Sequence, residues 1–156
     1  MASKIRMQDV VVILPGITGS VLQKDGKDIW AFSGQALWQA LKSWGGSLEQ
    51  LKLLADISSN NSIKASRLMV NTYQIPGLSK FDGYSAISHL IEDNFDVRPG
   101  NIYEDPEDKA ANFYHFPYDW RQDNRETAKL LQKHINKRLH QWRKCNVNPD
   151  AKVILL

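Results

Sequence analysis

The chain is poor in cysteine, since Cys145 is the only one among its 156 residues. A single cysteine excludes an internal disulfide and a multi-cysteine metal site, and it is compatible with a reducing cytoplasm. Long apolar runs are also lacking, because none approaches the roughly eighteen residues that a membrane-spanning helix needs. Residues 1–9 have no apolar segment of the signal-peptide type. These absences predict a cytoplasmic protein.

Neither basic nor acidic residues are in large excess. The 20 basic and 17 acidic residues leave a net charge of +3, which is too small to indicate a nucleic-acid partner. The uneven stretch is residues 129–144, which hold six Lys or Arg residues and no acid. This stretch could attract anionic lipid headgroups. We favour the alternative interpretation, a solvated outer face of a helix.

Motifs for metals, nucleotides and a serine nucleophile are missing. The chain has no H-E-x-x-H, EF-hand loop, G-x-G-x-x-G or G-x-x-x-x-G-K-[ST], so we expect no metal and no cofactor. It has no G-x-S-x-G either. The nearest approach is residues 83–87 (GYSAI), which no buried strand precedes. Because a serine elbow needs that strand, we interpret Ser85 as an ordinary helix-start residue.

None of the four histidines is set in a recognisable catalytic pattern. His134 and His140 fall in the basic stretch and are predicted to be solvated. His115 lies among aromatic residues and is predicted to be a hydrogen-bonded histidine of the core. A catalytic triad needs a base within reach of a nucleophile and an acid that orients the base, and nothing in the spacing predicts that arrangement.

What the chain does contain is a set of apolar runs with the length of strands. Residues 10–14 (VVVIL) and 152–156 (KVILL) are typical of strands buried on both faces of a parallel sheet. Residues 113–116 (FYHF) and 67–73 predict shorter strands. Pro99 and Gly100 are predicted to lie in a surface connection.

Helical patterns separate these runs. A helix is predicted from about residue 84 to 94, with Ile87, Leu90 and Ile91 as its apolar positions. The clearest helix spans about 122–144 and repeats apolar residues at three- and four-residue steps, at Ala128, Leu131, Ile135, Leu139 and Trp142. Two shorter helices are predicted in the segments 35–44 and 47–54. The alternation predicts an α/β fold with a mostly parallel sheet and flanking helices.

A glycine-bearing loop, residues 15–20 (PGITGS), follows the first apolar strand. Gly16 and Gly19 would allow the backbone to turn and to approach a ligand closely. Taken alone, this loop is as easily explained as a plain tight turn. A nucleotide site can also begin with a strand and a glycine loop, but the nucleotide motifs are absent.

Three segments together carry a family resemblance: residues 10–20, residues 113–121 (FYHFPYDWR), and the long helix followed by residues 152–156. In this order they resemble the lecithin:cholesterol acyltransferase family, which includes phospholipid:diacylglycerol acyltransferases and a lysosomal-type phospholipase A2. The FPYDWR string is the specific part. The resemblance implies an α/β-hydrolase fold, a Ser-Asp-His triad and an acyl-enzyme intermediate.

The resemblance also implies roles for particular residues. The main-chain N–H of Ile17 would be one donor of an oxyanion hole. The residues around it, Gly16, Thr18, Gly19 and Ser20, would contact the substrate. Trp30 would line the acyl site, within a lid or lipid-contact segment at about 25–60. A scaffold role falls to Asp119, Trp120 and Arg121, with Arg121 paired to Asp119 or to a later carboxylate. No triad residue has a matching position, because the family's nucleophile turn follows the strand matched by residues 152–156.

Residues 1–156 are therefore expected to form the N-terminal part of a single α/β-hydrolase domain. The expected function is that of a lipid O-acyltransferase or phospholipase. Its partners would be a phospholipid or neutral-lipid ester, a membrane surface contacted peripherally, and the remainder of the hydrolase domain. Two other readings stay open at this point. One is a non-catalytic truncated relative that binds lipid or a partner protein, and the other is a small nucleotide-binding α/β module.

Overall fold

Strands and helices alternate along the part of the chain that the structure describes. The computed structural model describes residues 3–17, 19–30, 63–69, 72–75, 79–81, 83–104, 110–146 and 148–156. In chain order its elements are β1 (Ile5–Arg6), β2 (Val10–Ile13), β3 (Ser20–Lys24), β4 (Lys27–Trp30), β5 (Ile63–Leu68), β6 (Thr72–Ile75), β7 (Ser79–Phe81), α1 (Ser85–Asn94), β8 (Phe95–Asp96), β9 (Pro99–Asn101), β10 (Phe113–His115), α2 (Asn124–Asn146) and β11 (Val153–Leu155).

The predicted parallel sheet is present, with four strands in the order β11-β2-β10-β9. Strand β2 lies between β10 and β11 and is parallel to both. The chain therefore passes from one side of β2 to the other through helix α2. The predicted α/β class is confirmed at this level: a parallel sheet accompanied by helices.

Strand β2 is buried on both faces, as its uninterrupted apolar sequence predicts. Side chains alternate across a strand, so Val10 and Val12 belong to one core cluster and Val11 and Ile13 to another. The first cluster packs with Trp142 and the apolar stripe of α2. The second packs with Ile91 of α1. The two helices thus cover opposite faces of the sheet.

Helix α2 begins two residues later than predicted because Asp123 caps it. The Asp123 carboxylate accepts a hydrogen bond from the Arg125 main-chain N–H at 2.8 Å, an N-cap interaction that satisfies a free donor of the first turn. At the other end, the indole Nε1 of Trp142 donates to the carbonyl of Gln8 at 2.7 Å. This bond fixes the helix to the segment that leads into β2.

The basic stretch on α2 is not wholly solvated. Arg138 is 1% exposed, and its Nε and Nη2 both donate to the Ile102 carbonyl, at 3.0 and 2.9 Å. The prediction that His134 is solvated is also wrong. Its ring is half-buried, lies edge-on to Tyr103, and has Nδ1 at 3.1 Å from the same carbonyl. His140 is exposed, as predicted.

Three strands form a separate antiparallel sheet in the order β4-β3-β5. The β3–β4 hairpin turns at Asp25 and Gly26, whose φ angles are 51° and 76°, and such a turn suits Asp-Gly. Trp30 ends strand β4. The strand predicted at 67–73 is instead divided between β5 and β6.

The structure corrects three further predictions about strands and exposure. Pro99 and Gly100 belong to β9, which pairs with β10 in the central sheet, rather than to a surface connection. Leu90 is 58% exposed, although the pattern placed it on the apolar side of α1. Strand β11 pairs with β2 in the parallel sheet, but Leu155 is 52% exposed, so the prediction that this strand is buried on both faces is wrong.

The predicted helices at 35–44 and 47–54 lie outside the described residues. Most of the lid segment predicted at about 25–60 does so as well. Among the described helices, none combines the length and the apolarity that crossing a membrane requires.

Asn112 is the polar centre of the sheet's amino-terminal end, and it is completely buried. Its Oδ1 accepts from the Arg98 main-chain N–H at 2.7 Å. Its Nδ2 donates to the carbonyls of Met7 and Asp9 at 3.3 and 3.1 Å. One side chain thus joins the segments that lead into β2, β9 and β10.

We predict that Asn112→Ala lowers the free energy of unfolding by about 3 kcal/mol, because it leaves several buried main-chain groups unpaired at about 1–3 kcal/mol each. Urea denaturation of the two proteins measures the difference. The matched control is Asn136→Ala on the exposed face of α2, which should leave stability unchanged or slightly raised. A loss below about 1 kcal/mol for Asn112→Ala would contradict the role assigned to this side chain.

Candidate functional site

The candidate site lies at the carboxyl ends of the parallel strands, where ligands of open α/β sheets usually bind. Residues 14–19 leave the end of β2. The segment that leaves β10 lies beside them, since the Phe116 main-chain N–H donates to the Ile13 carbonyl at 3.0 Å. On the other side, the Leu14 N–H donates to the Leu156 carbonyl at 2.8 Å. Three chain segments therefore meet at one edge of the sheet.

The glycine loop after β2, residues 15–19, is held by two hydrogen bonds. The Gly16 N–H donates to the phenol oxygen of Tyr84 at 2.7 Å, and the Gly19 N–H donates to the Gly16 carbonyl at 3.0 Å. Ile17 is 74% exposed. Its main-chain N–H has no acceptor among the described residues. Of the three described amides at positions 16, 17 and 19, only that of Ile17 remains open to a ligand.

The direction of the Ile17 N–H follows from peptide geometry. The Gly16 carbonyl and the Ile17 N–H belong to one planar unit, and no cis peptide bond occurs among the described residues. In a trans peptide the two groups point in opposite directions. Because the Gly16 carbonyl points toward Gly19, the Ile17 N–H points away from the turn.

Gly19 is required by space, whereas Gly16 is not. A Cβ atom on Gly19 would lie 2.7 Å from the Tyr84 hydroxyl oxygen and 2.8 Å from the Cβ of Pro15. A Cβ on Gly16 would have its nearest neighbour at 3.8 Å, which is ordinary van der Waals contact. The close approach of Tyr84 to the loop therefore depends on the missing side chain at position 19.

Tyr84 is in turn connected to the end of β10 through Ser88. The Ser88 Oγ donates to the Tyr84 carbonyl at 2.8 Å and lies 2.8 Å from His115 Nε2. The single proton of the Ser88 hydroxyl is donated to the Tyr84 carbonyl. The Ser88 oxygen therefore accepts a hydrogen bond from the Nε2–H group of His115. Burial lowers the pKa of His115, and the Glu92 carboxylate opposes that shift only in part. His115 is thus the hydrogen-bonded histidine that the sequence predicted.

The segment that follows β10 contains the predicted scaffold residues. Arg121 donates from Nε and Nη2 to the two carboxylate oxygens of Asp119 at 2.8 and 2.6 Å. This is the pairing that the sequence analysis considered. The two side chains are only 8% and 9% exposed. Trp120, between them, is half-buried.

Ser20 stabilises the segment that follows β10. Its side chain is completely buried, and its Oγ accepts from the Tyr118 main-chain N–H at 3.0 Å. The sequence analysis placed Ser20 among residues in contact with substrate. In the structure its hydroxyl joins β3 to the loop after β10, so direct contact would require that bond to open. Thr18 and the side chain of Trp30 lie outside the described part of the structure.

A cavity of about 680 Å³ lies beyond the carboxyl ends of β9 and β10. Its described wall includes His115, Tyr118 and Asp119 on one side and strand β5 on the other. None of the described residues of the 15–19 loop lines it. We place the candidate chemistry at the loop rather than in this cavity, because the loop presents the open amide donor. In the described residues no cluster of His, Cys, Asp or Glu is arranged to hold a metal ion.

Tyr84 and Ser88 are the site residues that sequence reasoning missed. Tyr84 is 68 positions from its partner Gly16, and no spacing rule connects the two. A tyrosine directly before a helix is common. Only the sheet topology, which brings the start of α1 to the end of β2, makes the contact visible.

We predict opposite effects for the two glycines of the loop. Gly19→Ala should lower the free energy of unfolding by about 1–3 kcal/mol, the usual cost of forcing a methyl group into filled space. Gly16→Ala should be neutral or stabilising by up to about 1 kcal/mol, because it restricts the unfolded chain without a clash. Thermal unfolding of both variants checks the pair. Equal effects at the two positions would contradict the described packing of Tyr84.

The buried ion pair of Asp119 and Arg121 should make the free energy of unfolding depend on pH in the acidic range. Burial raises the pKa of Asp119, but the hydrogen bonds and charge of Arg121 outweigh it and hold the pKa below the ordinary value of 3.8. The pair therefore contributes fully above pH 3.8, and the contribution is lost as the pH falls through the lowered pKa.

Asp119→Asn should cost about 3 kcal/mol of unfolding free energy at neutral pH, because it leaves a buried cation unpaired. The difference from the parent chain should shrink in urea titrations below pH 3.8. The control is Glu126→Gln, whose partner Lys129 is 71% exposed and whose loss of charge should leave stability nearly unchanged. A difference that stays constant down to pH 2 would refute the assignment.

Comparisons of the chain with protein-family models, with curated proteins and with solved structures found no match.

Proposed function

We propose that this chain forms the front part of a serine-dependent hydrolase that transfers acyl groups from lipid esters. The acyl donor would be a phospholipid or neutral-lipid ester, and the acceptor an alcohol or water. In this proposal the nucleophile, the acid and the histidine come from residues that follow Leu156 in a longer chain. The protein would act in the cytoplasm, peripherally at a lipid surface, and without a cofactor.

The observation that carries the proposal is the Ile17 N–H at the end of β2, which has no acceptor among the described residues. Ester cleavage through an acyl-enzyme places negative charge on the carbonyl oxygen of the ester, and main-chain N–H groups stabilise that charge best when they are already fixed in place. The Gly16–Gly19 bond fixes the peptide that carries the Ile17 N–H, and Ile17 is 74% exposed. It can therefore donate to an oxyanion without giving up a bond that the described structure already makes.

The position of β11 supports the same proposal. In α/β-hydrolases the nucleophile stands on a turn directly after a strand, and its oxyanion hole combines an amide beside it with one from a neighbouring strand's loop. Strand β11 is the parallel neighbour of β2. Because the Leu156 carbonyl accepts from the Leu14 N–H, the chain leaving β11 reaches the edge at which the Ile17 loop lies.

In this proposal, residues 1–156 supply one donor of the oxyanion hole, and the later part of the chain supplies the serine and the histidine. A serine hydroxyl from the later part would attack the ester carbonyl, passing its proton to the histidine. The carbonyl oxygen, now an oxyanion, would accept a hydrogen bond from Ile17 and a second from the amide after the serine. The alcohol would leave with the proton from the histidine, and a new alcohol or water would then take the acyl group from the serine.

The proposal predicts that only a longer chain, which includes residues after Leu156, reacts with a serine-directed probe. We would read the coding sequence after the Leu156 codon, express the complete open reading frame, and treat it and residues 1–156 with a fluorophosphonate probe. The expected result is one covalent adduct on a serine beyond Leu156 and none on the 156-residue chain. Hydrolysis of a short-chain nitrophenyl ester should follow the same pattern.

Two outcomes would overturn the proposal. The first is an open reading frame that ends at Leu156 or continues without a serine turn. The second is a longer chain with such a turn that neither reacts with the probe nor hydrolyses ester. Binding to phospholipid vesicles without reactivity would then favour the non-catalytic alternative.

A further inference from the structure

We propose that Tyr84 is a positioning residue for the oxyanion loop, acting through its phenol oxygen on residues 15–19. The inference rests on the proposed acyl-transfer function for its catalytic consequence. Its structural part can be measured on the 156-residue chain by itself. Tyr84 does not touch the reacting atoms in this proposal. It determines where the Ile17 N–H points.

The first step in the argument is the contact between Tyr84 and the loop. The Tyr84 phenol oxygen accepts from the Gly16 N–H at 2.7 Å and lies against the bare Cα of Gly19. It therefore meets both ends of the short turn that contains Ile17. A loop whose two glycines would otherwise permit many conformations is thus fixed at both glycines by one side chain.

The second step concerns the two peptide planes around Gly16. The plane before it carries the Gly16 N–H, which Tyr84 holds. The plane after it carries the Gly16 carbonyl and the Ile17 N–H, and the bond from Gly19 holds that carbonyl. With both planes fixed, the φ and ψ angles of Gly16 have little freedom, and the Ile17 N–H keeps one direction. Loss of the Tyr84 bond would free the first plane and weaken the second.

The third step is that Tyr84 is itself anchored. Its main-chain N–H donates to the Met69 carbonyl at 3.0 Å, and Met69 in turn donates to the Gly19 carbonyl at 2.9 Å. Its carbonyl accepts from the Ser88 Oγ. The ring thus projects from a backbone that is bonded on both sides, so its hydroxyl is a fixed reference point for the loop. An oxyanion donor that is fixed in advance needs no reorganisation as charge develops.

The test is Tyr84→Phe, which keeps the ring and removes only the hydroxyl. In the 156-residue chain, amide hydrogen exchange measured by NMR should accelerate at least tenfold for Gly16 and also for Gly19. In the longer, fluorophosphonate-reactive enzyme, kcat should fall about tenfold while KM stays within twofold, because the donor acts on the transition state. The control variant is Leu90→Ala, at an exposed position of the same helix, and it should change neither exchange nor kcat.

The outcomes separate this inference from the proposed function. Faster exchange together with a lower kcat supports both. An active parent enzyme whose kcat is unchanged by Tyr84→Phe overturns the positioning role, whatever the exchange shows. If the longer chain has no serine reactivity, the acyl-transfer function fails, and the exchange of Gly16 alone decides whether Tyr84 fixes the loop. Unchanged exchange in that case overturns the inference as well.

Discussion

The two-sided pairing of strand β2 is the constraint on which the rest of the structure depends. Four consecutive apolar residues without polar alternation are stable only where both faces are covered and both backbone edges are bonded. Strands β10 and β11 supply the edges, and helices α1 and α2 cover the faces. Because both neighbours are parallel to β2, the three strands end at one edge. The glycine loop of the candidate site lies there for that reason.

The elements that could be predicted are those whose signal is local. Strand β2 follows from its continuous apolar run and helix α2 from its three- and four-residue steps, since both patterns are written within one segment. Strand β9 could not be found in this way. Pro99 and Gly100 disfavour a strand, and only pairing with β10 imposes the extended form. Leu90 shows the converse, because an apolar residue at helical spacing is exposed where no neighbour covers it.

The position of the candidate loop in the chain could be predicted from the sequence, but the residues that hold the loop in place could not. A glycine pair after a buried strand identifies the loop, and the family resemblance singles out Ile17. The partners that hold the loop come from α1, and their identity depends on tertiary packing. The same holds for Arg138 and His134, which the charge pattern assigned to solvent. Both side chains contact the main-chain carbonyl of Ile102, which directly follows β9. A count of charged residues along the sequence cannot predict this contact.

The pairing of β2 with β11 also has a consequence for how the chain acquires its structure. Residues on the two sides of that pairing, such as Asp9 and Lys152, are 143 positions apart. Closing so long a loop costs entropy before any contact compensates for it. During synthesis, strand β2 must remain without this neighbour until the residues up to β11 have left the ribosome. In that interval its apolar edge is open to other chains, so slow synthesis would lengthen the time during which strand β2 can pair with another chain.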